Sequence, residues 1–256
     1  MGAKKQEIDA AATCGDPRGS SPARGATARR GRGLVAWARG WVIPIVLAGG
    51  VGCAASTQQP AGDPERVSEG EYDVARDLWL RQGKSREALG HALKAVESDD
   101  SNADASHLVA LLYLDFCDRS PGECHLDEAE RYARRALDLR KDFREARNTL
   151  GVVLIHQRRL PEAIEVLKPL TEDILYSTPE NAWGNLGQAY LEQERWDEAI
   201  DALSRSVAAQ PAFCVGFYRL GLAWEGKKEL AKALESYSRA LETEAAPCQR
   251  MQLAYL

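Results

Sequence analysis

The sequence lacks several patterns that would assign it to a familiar class. No apolar run approaches the roughly 20 residues that a membrane-spanning helix needs, which excludes a multi-span membrane protein. It contains no Gly-x-Ser-x-Gly nucleophile elbow, no phosphate-binding loop and no His-Glu-x-x-His zinc motif. It has no Cys-x-x-Cys pair, and the four histidines do not form metal-ligand spacings with the cysteines. We therefore expect no catalytic residues, metal, cofactor or small-molecule substrate.

The charge is unevenly distributed along the 256 residues. Because the net charge is −5, we do not expect nucleic acid to be a partner. Residues 1–52 carry eight Lys or Arg against three acidic residues, whereas the remainder carries a net charge of −10. The chain therefore consists of two differently built parts.

The basic part has the features of an export signal. Residues 15–33 are rich in Gly, Arg, Ser and Ala without apolar periodicity, which predicts disorder. Arg39 precedes an uncharged apolar stretch, residues 41–52, that ends in small residues before Cys53. A basic flank, an apolar core of about a dozen residues and a small-residue cleavage point are typical of a secretory signal.

The cysteine at the end of this stretch resembles the lipobox of bacterial lipoproteins, although Gly50 stands where a large aliphatic residue is usual. The resemblance implies cleavage before Cys53, a diacylglyceryl group on its thiol and a fatty acid such as palmitate on its amino group. Ala54 in place of Asp implies a lipid anchor in the outer membrane, on its periplasmic face. The alternative is a soluble secreted protein that is cut near residues 54–55. In either case the polar, Pro-containing residues 53–68 read as a tether that reaches about 50 Å when extended.

The acidic part contains an internal repeat. Three segments, NTLGVVL, GNLGQAY and YRLGLAW, align on Gly151, Gly187 and Gly221, with spacings of 36 and 34 residues. Three others, PEAIEVL, DEAIDAL and AKALESY, align on Ala163, Ala199 and Ala233 with the same spacings. Two further segments extend the series upstream, at residues 85–95 and 126–136. Small residues at such positions let paired helices approach closely, and larger ones fill the space between neighbours.

This pattern resembles the 34-residue tetratricopeptide repeat. It predicts an all-α, right-handed α-solenoid over residues 69–256, built from about five helix-turn-helix repeats and a C-terminal capping helix at 250–256. The first helices of the repeats (A helices) are predicted at 70–82, 103–117, 144–157, 180–193 and 214–226. The second helices (B helices) are predicted at 85–98, 127–139, 161–173, 197–209 and 231–243.

The second repeat is longer than the others and contains two cysteines. The interval from Ala88 to Ala129 is 41 residues, and the excess lies between Cys117 and Cys124, around a Pro-Gly turn. Excluding Cys14 and Cys53 leaves four cysteines, an even number that favours disulfides in an exported protein. Three pairings are possible. We favour Cys117–Cys124, across the insertion, and Cys214–Cys248, at equivalent starts of consecutive A helices.

The turn between the third and fourth repeats is also unusual. It has two extra residues and contains the sequence Glu172-Asp173-Ile174-Leu175-Tyr176. A lipobox, a tetratricopeptide array and this turn together resemble the type IV pilus biogenesis lipoproteins, the pilotins of the PilF/PilW/Tgl kind, over residues 70–256. The resemblance implies a protein partner, the pilus secretin subunit, which the lipoprotein would escort to the outer membrane and help to assemble into multimers.

In tetratricopeptide arrays the A helices line a concave groove, mainly through their second, fifth, ninth and twelfth positions. Many of these positions are apolar here, and an exposed apolar strip generally marks a binding site. The predicted partner-binding groove comprises Leu80, His107, Leu111, Leu114, Asn148, Val152, Ile155, Gly184, Gln188, Leu191, Tyr218 and Leu222. Two alternatives to secretin binding remain open: an adaptor that scaffolds peptidoglycan hydrolases, and a component of β-barrel assembly.

The lipobox yields a direct prediction. A Cys53→Ala variant cannot be acylated at that position, and we expect it to leave the membrane fraction, because multiple acyl chains are what hold a lipoprotein durably on a bilayer. Fractionation of cells with detection of the protein in both pools measures this. A variant that still sediments with membranes by itself would contradict the anchor assignment.

Overall fold

The structure, a computed structural model, describes residues 63–119 and 121–242, which belong to the second of the two units into which the chain divides, residues 56–256. Within these residues it contains ten α-helices, one short 3₁₀ turn at Pro121–Glu123 and no strand. The predicted all-α class is confirmed. The helices are α1 Pro64–Leu80, α2 Ser85–Ser98, α3 Ala103–Arg119, α4 Leu126–Leu139, α5 Arg144–His156, α6 Leu160–Thr171, α7 Pro179–Glu192, α8 Trp196–Ala209, α9 Cys214–Gly226 and α10 Leu230–Leu241.

The helices pair in the order in which they follow one another along the chain. Each odd-numbered helix packs extensively on the next even-numbered one, and each even-numbered helix then packs on the following odd-numbered helix. Five helix-turn-helix units result, with α1, α3, α5, α7 and α9 as A helices and the others as B helices. This confirms the predicted array of five repeats, whereas the capping helix predicted at 250–256 lies outside the described residues.

The repeat glycines mark the points where the two helices of a unit are closest. A Cβ atom built on Gly151 would lie 2.4 Å from Leu167 Cγ, and one built on Gly187 would lie 2.5 Å from Leu203 Cγ. At Gly221 the corresponding distance, to Tyr237 Cε1, is 2.3 Å. Both leucines are fully buried. Glycine is therefore required here for helix approach, and its large partner on the B helix fills the space.

The turns between paired helices share one backbone feature. Arg158, Glu194 and Lys228 all have φ near +60°, and Gly83 occupies the equivalent place in the first unit. In each turn the N–H of the next residue reaches back to a carbonyl of the helix, five positions away in three of the turns, as in the bond from Arg159 N to Leu154 O at 2.9 Å, and six positions away in the turn at Gly83. This left-handed cap satisfies helix carbonyls that would otherwise have no partner, and it reverses the chain within a few residues.

The first helix begins earlier than the repeat period predicts. It starts at Pro64 and ends at Leu80, so the predicted tether (53–68) and the predicted domain start (69) are wrong by about five residues. Proline is well suited to the first helical turn because the N–H groups of that turn have no acceptor within the helix, so that no hydrogen bond is lost. Ser68, assigned to the tether, is fully buried and accepts a hydrogen bond from Asn102 Nδ2 at 2.9 Å. The remaining helix bounds agree with prediction to within about two residues.

The glycine contacts give a stability prediction. Gly187→Ala places a methyl group against a buried leucine that has no room to move, so we expect destabilisation of about 1–3 kcal/mol. Gly90→Ala is the matched control, because a Cβ on Gly90 in α2 meets nothing within 4 Å. That change should stabilise by up to about 1 kcal/mol through helix propensity. Urea unfolding of both variants measures the difference, and equal stabilities would contradict the packing argument.

Candidate binding groove

The A helices form one continuous layer. Each A helix contacts the next, from α1 through α9, whereas within the described helices no two B helices are in contact. The A helices are therefore closer together than the B helices, which places them on the inner side of the array. We call the exposed surface of α1, α3, α5, α7 and α9 the A-helix groove.

Most of the predicted groove residues remain partly accessible on this layer. Leu80 is the most exposed, with 63% of its surface accessible at the end of α1. The apolar members of the intermediate class lie on four successive A helices, so that a row of half-buried apolar side chains crosses the groove. The partly exposed residues are His107, Leu111, Asn148, Val152, Gln188, Leu191, Tyr218 and Leu222.

The structure corrects three of the predicted groove residues. Leu114 is 8% exposed and packs with Ala129 and Val153, and Ile155 is only 2% exposed within the main core. Gly184 is also buried, beneath the Phe213 ring. All three positions are enclosed by packing within and between units, and they therefore do not face the groove.

A row of polar contacts connects successive A helices along the groove. His107 on α3 contacts Thr149 Oγ1 on α5 through Nε2 at 2.9 Å. Asn185 on α7 donates through Nδ2 to Asn148 Oδ1 on α5 at 3.0 Å. Arg219 on α9 donates through Nη1 to Gly184 O and Asn185 Oδ1, at 3.3 and 3.4 Å.

Three members of this row were missed from the sequence: Thr149, Asn185 and Arg219. They lie one residue beyond the fifth position of their repeats and are spaced by 36 and 34 residues, like the repeat glycines. A polar residue that recurs at this register was the available signal. It was overlooked because the groove assignment used four fixed positions of each A helix.

The pKa of His107 is strongly affected by this environment. Burial lowers its pKa to about 4, Arg140 adds to the effect and Asp104 partly opposes it. Thr149 Oγ1 donates its own proton to Glu145 O, so the hydrogen-bond network assigns the proton of this contact to His107 Nε2. The ring also packs edge-on against Phe143, with centroids 4.8 Å apart. His107 is therefore a neutral, structural member of the groove at physiological pH.

The insertion in the second repeat is fastened to the first. Cys117 and Cys124 are joined by a disulfide with Cα atoms 4.2 Å apart, in agreement with the favoured pairing. Arg86 on α2 donates to both carboxylate oxygens of Glu123, at 2.6 and 2.7 Å, and Ser85 donates to Asp115 at 2.6 Å. The insertion is therefore anchored to the preceding unit through Glu123, and Asp115 ties the end of α3 to the same unit.

The remaining cysteine predictions lie partly or wholly outside the described residues. Cys214 is 2% exposed and disulfide-bonded. Cys248 and the lipidation residue Cys53 are both outside the described part, so the Cys214–Cys248 pairing and the lipid anchor stay predictions.

The lengthened turn between α6 and α7 is rigidly braced. Asp173 accepts hydrogen bonds from Leu175 N at 2.9 Å and from Arg144 Nε at 2.6 Å, and both interactions lower the pKa of its carboxyl group. Tyr176 is 5% exposed and anchors the end of the turn in the core. Ile174 and Leu175 are left 95% and 71% exposed. The distinctive sequence of this turn therefore encodes its shape through Asp173 and Tyr176.

The described residues offer no grouping of three or more His, Cys, Asp or Glu side chains that could hold a metal ion. Nor does any helix in residues 63–242 combine the length and apolar character that crossing a membrane requires. The polar row on the A-helix layer presents side-chain amides and the Arg219 guanidinium beside apolar side chains, and groups of these kinds are suited to binding.

The pKa of His107 yields a prediction with a defined sign. Because the folded-state pKa of about 4 lies below the ordinary value of 6.5, the unfolded chain takes up the proton first as the pH falls. The neutral ring therefore makes its full contribution to the free energy of unfolding above pH 6.5. About 3 kcal/mol of that free energy is lost as the pH falls toward 4. His107→Gln keeps an N–H donor for Thr149 but does not titrate. Thermal unfolding of both proteins between pH 7 and 4.5 should show that the melting temperature of the wild type falls more steeply with pH. Parallel curves of melting temperature against pH would contradict the assignment.

Comparison with known proteins agrees with the architecture. Residues 125–171 and 180–213 match tetratricopeptide repeat families. The repeats alone are not specific for function, because the O-mannosyl-transferase Tmtc3 of Drosophila melanogaster is 28% identical over 143 residues, which cover 55% of this chain and only 14% of that protein.

Two pilus proteins are similar over a larger part of the chain. The type IV pilus assembly protein PilF of Pseudomonas aeruginosa is 28% identical over 178 residues, which cover 66% of this chain and 66% of PilF, so the match spans just under two thirds of that relative. The crystal structure of PilW, a type IV pilus biogenesis factor, has a TM-score of 0.61 at 26% identity, covering 72% of this chain and 81% of PilW.

A structure of Pseudomonas aeruginosa PilF has the same fold, with a TM-score of 0.60 at 20% identity, covering 71% of this chain and 78% of that one. The repeat period predicted the array, and the array, the lipobox and the turn at residues 172–176 together indicated the resemblance to this group of pilus proteins. The chain is a tetratricopeptide repeat protein homologous to the type IV pilus biogenesis proteins PilF and PilW.

Proposed function

We propose that this protein is an outer-membrane lipoprotein of type IV pilus biogenesis. It binds a subunit of the pilus secretin in the A-helix groove and promotes the targeting of that subunit to the outer membrane and its assembly into multimers. The observation that carries the proposal is the row of half-buried apolar side chains on successive A helices, represented by Leu111, Val152 and Leu222. It gains weight from the homology to PilF and PilW.

The groove is suited to holding a protein segment. Its apolar row runs across the A helices, so that an extended segment or a helix lying in it would contact several repeats at once. Each buried apolar contact contributes through the hydrophobic effect, and the polar contacts between helices, such as Asn148 with Asn185, fix the spacing of the row. The mechanism is binding and positioning without turnover.

The proposed lipid at Cys53 would confine this groove to the membrane surface. Ten residues separate Cys53 from the start of α1 at Pro64, so the link reaches at most about 35 Å. Confinement raises the effective concentration of the groove where secretin subunits must meet, and this favours assembly without any additional contact.

The test compares cells with and without the gene for heat- and detergent-resistant secretin multimers. Loss of multimer while monomer is still made is the expected result. Normal multimers would contradict the proposal, and co-purification of peptidoglycan hydrolases in that case would favour the adaptor function instead. A general defect in outer-membrane proteins would favour the role in β-barrel assembly.

Point variants locate the binding surface. Leu111→Glu and Leu222→Glu place a charge in the apolar row, and we expect each to weaken secretin capture by at least about tenfold, since an unpaired charge is costly to bury. Leu234→Glu is the matched control, because Leu234 is 68% exposed on the B helix α10. Ile155 is unsuitable for this purpose, as a charge at that buried position would disturb the fold. Unchanged capture by both groove variants would remove the groove from the proposal.

A further inference from the structure

The guanidinium of Arg219 lies between α7 and α9 and has unused hydrogen-bonding capacity. Its Nη1 atom makes two long hydrogen bonds, to Gly184 O at 3.3 Å and to Asn185 Oδ1 at 3.4 Å. Its Nε and Nη2 atoms donate to no residue in the described ranges, and neither is a buried polar atom sealed off without a partner. One edge of the guanidinium, the Nε–Nη2 edge, therefore has hydrogen-bonding capacity that no described residue uses.

This cation also has no counter-ion among the described residues. Burial lowers the pKa of Arg219 to about 10, with Glu192 opposing the shift. The Glu192 carboxylate is itself occupied, because it accepts from Arg158 at 2.7 Å and from Gln188 at 3.0 Å. By contrast, the partly buried Arg144 has its own carboxylate partner, Asp173, at 2.6 Å. A partly desolvated cation without a partner is energetically costly, and a bound carboxylate would offset that cost.

The surroundings of Arg219 extend in both directions along the groove. On one side Asn185 and Asn148 present side-chain amides on α7 and α5, groups that can hydrogen-bond to a peptide backbone. On the other side lies the half-exposed Leu222, one turn along α9. A segment bound at the guanidinium can therefore continue past it on both sides. This geometry suits an acidic residue within a chain, because a C-terminal carboxylate has chain on one side only.

We propose that Arg219 anchors a subsite that binds the carboxylate of an Asp or Glu side chain within an extended, otherwise apolar partner segment. The Nε–Nη2 edge presents two parallel N–H groups, which match the two oxygens of a carboxylate. Asn185 and Asn148 hold the backbone of the segment, and the apolar row receives its other side chains. The inference rests on the proposed function and names the chemistry of the segment that the groove accepts.

Peptide selection on the purified full chain tests the subsite. Random dodecamers displayed on phage and fused through their C-termini contain only side-chain carboxylates. They are selected on the wild type, on Arg219→Met and on Arg205→Met. Arg205→Met is the matched control, because Arg205 on α8 pairs with Asp201 at 3.0 Å, and its side chain is 57% exposed. Circular dichroism and thermal unfolding of each variant establish that it is folded.

We expect an acidic residue to be enriched at one position in peptides selected on the wild type and on Arg205→Met, but not on Arg219→Met. The selected peptides should bind Arg219→Met at least about tenfold more weakly. Changing the acidic residue of the peptide to its amide should weaken binding to the wild type by the same factor. The change should not weaken binding to Arg219→Met any further, as in a double-mutant cycle. Arg219→Lys, which keeps the charge but loses the fork, should fall between the two.

Several outcomes would overturn the inference. They are a failure of the wild type to select any peptide, a selection without acidic enrichment, and the same enrichment on Arg219→Met. Secretin capture separates this inference from the proposed function. If Arg219→Met captured secretin as well as the wild type does, the subsite would be overturned and the proposed function would stand. If cells lacking the gene formed normal multimers, the proposed function would fall, and the peptide selection would decide the subsite.

Discussion

The last three repeats depend on the close approach of two helices at one glycine in each of them. Gly151, Gly187 and Gly221 allow a large side chain of the paired helix to lie directly against their backbones. This contact fixes the distance and the angle within each pair, so that the next pair can add in the same geometry. Since each unit packs mainly on its neighbours, the error or strain of one unit would propagate along the array. The left-handed turn residues then return the chain within a constant number of residues.

The groove is a consequence of this packing. The A helices approach one another while the B helices do not touch within the described part, so the A side is the inner layer. Some A-helix side chains, such as Leu114 and Ile155, are buried in the packing between helices. Those directed away from it, such as Leu111 and Leu222, are left half-buried and available. A surface for a protein partner therefore arises on the same helices that hold the array together, but through different residues.

The departures from the repeat give the array its particular character. The insertion in the second unit is closed by Cys117–Cys124 and fastened through Glu123 to the preceding helix pair. The turn at residues 172–176 is shaped by Asp173 and Tyr176, and it leaves Ile174 and Leu175 in solvent. Both features replace flexible connections by fixed ones, and they lie where the regular repeat has only short turns. Generic repeat residues explain the fold, whereas these segments and the groove chemistry distinguish one tetratricopeptide protein from another.

The sequence by itself determined the helix pairs and their bounds, because the 34-residue period is a local pattern of small and large residues that needs no knowledge of distant contacts. It also predicted the Cys117–Cys124 pairing from the length of one insertion. It did not locate the start of α1, where Ser68 accepts a hydrogen bond from Asn102, because a contact between residues 34 positions apart leaves no mark in the local pattern. Only the tertiary structure decided which apolar A-helix residues are buried and that Arg219 has no counter-ion among the described residues. Both depend on how closely neighbouring units approach, and that distance is set by packing between repeats.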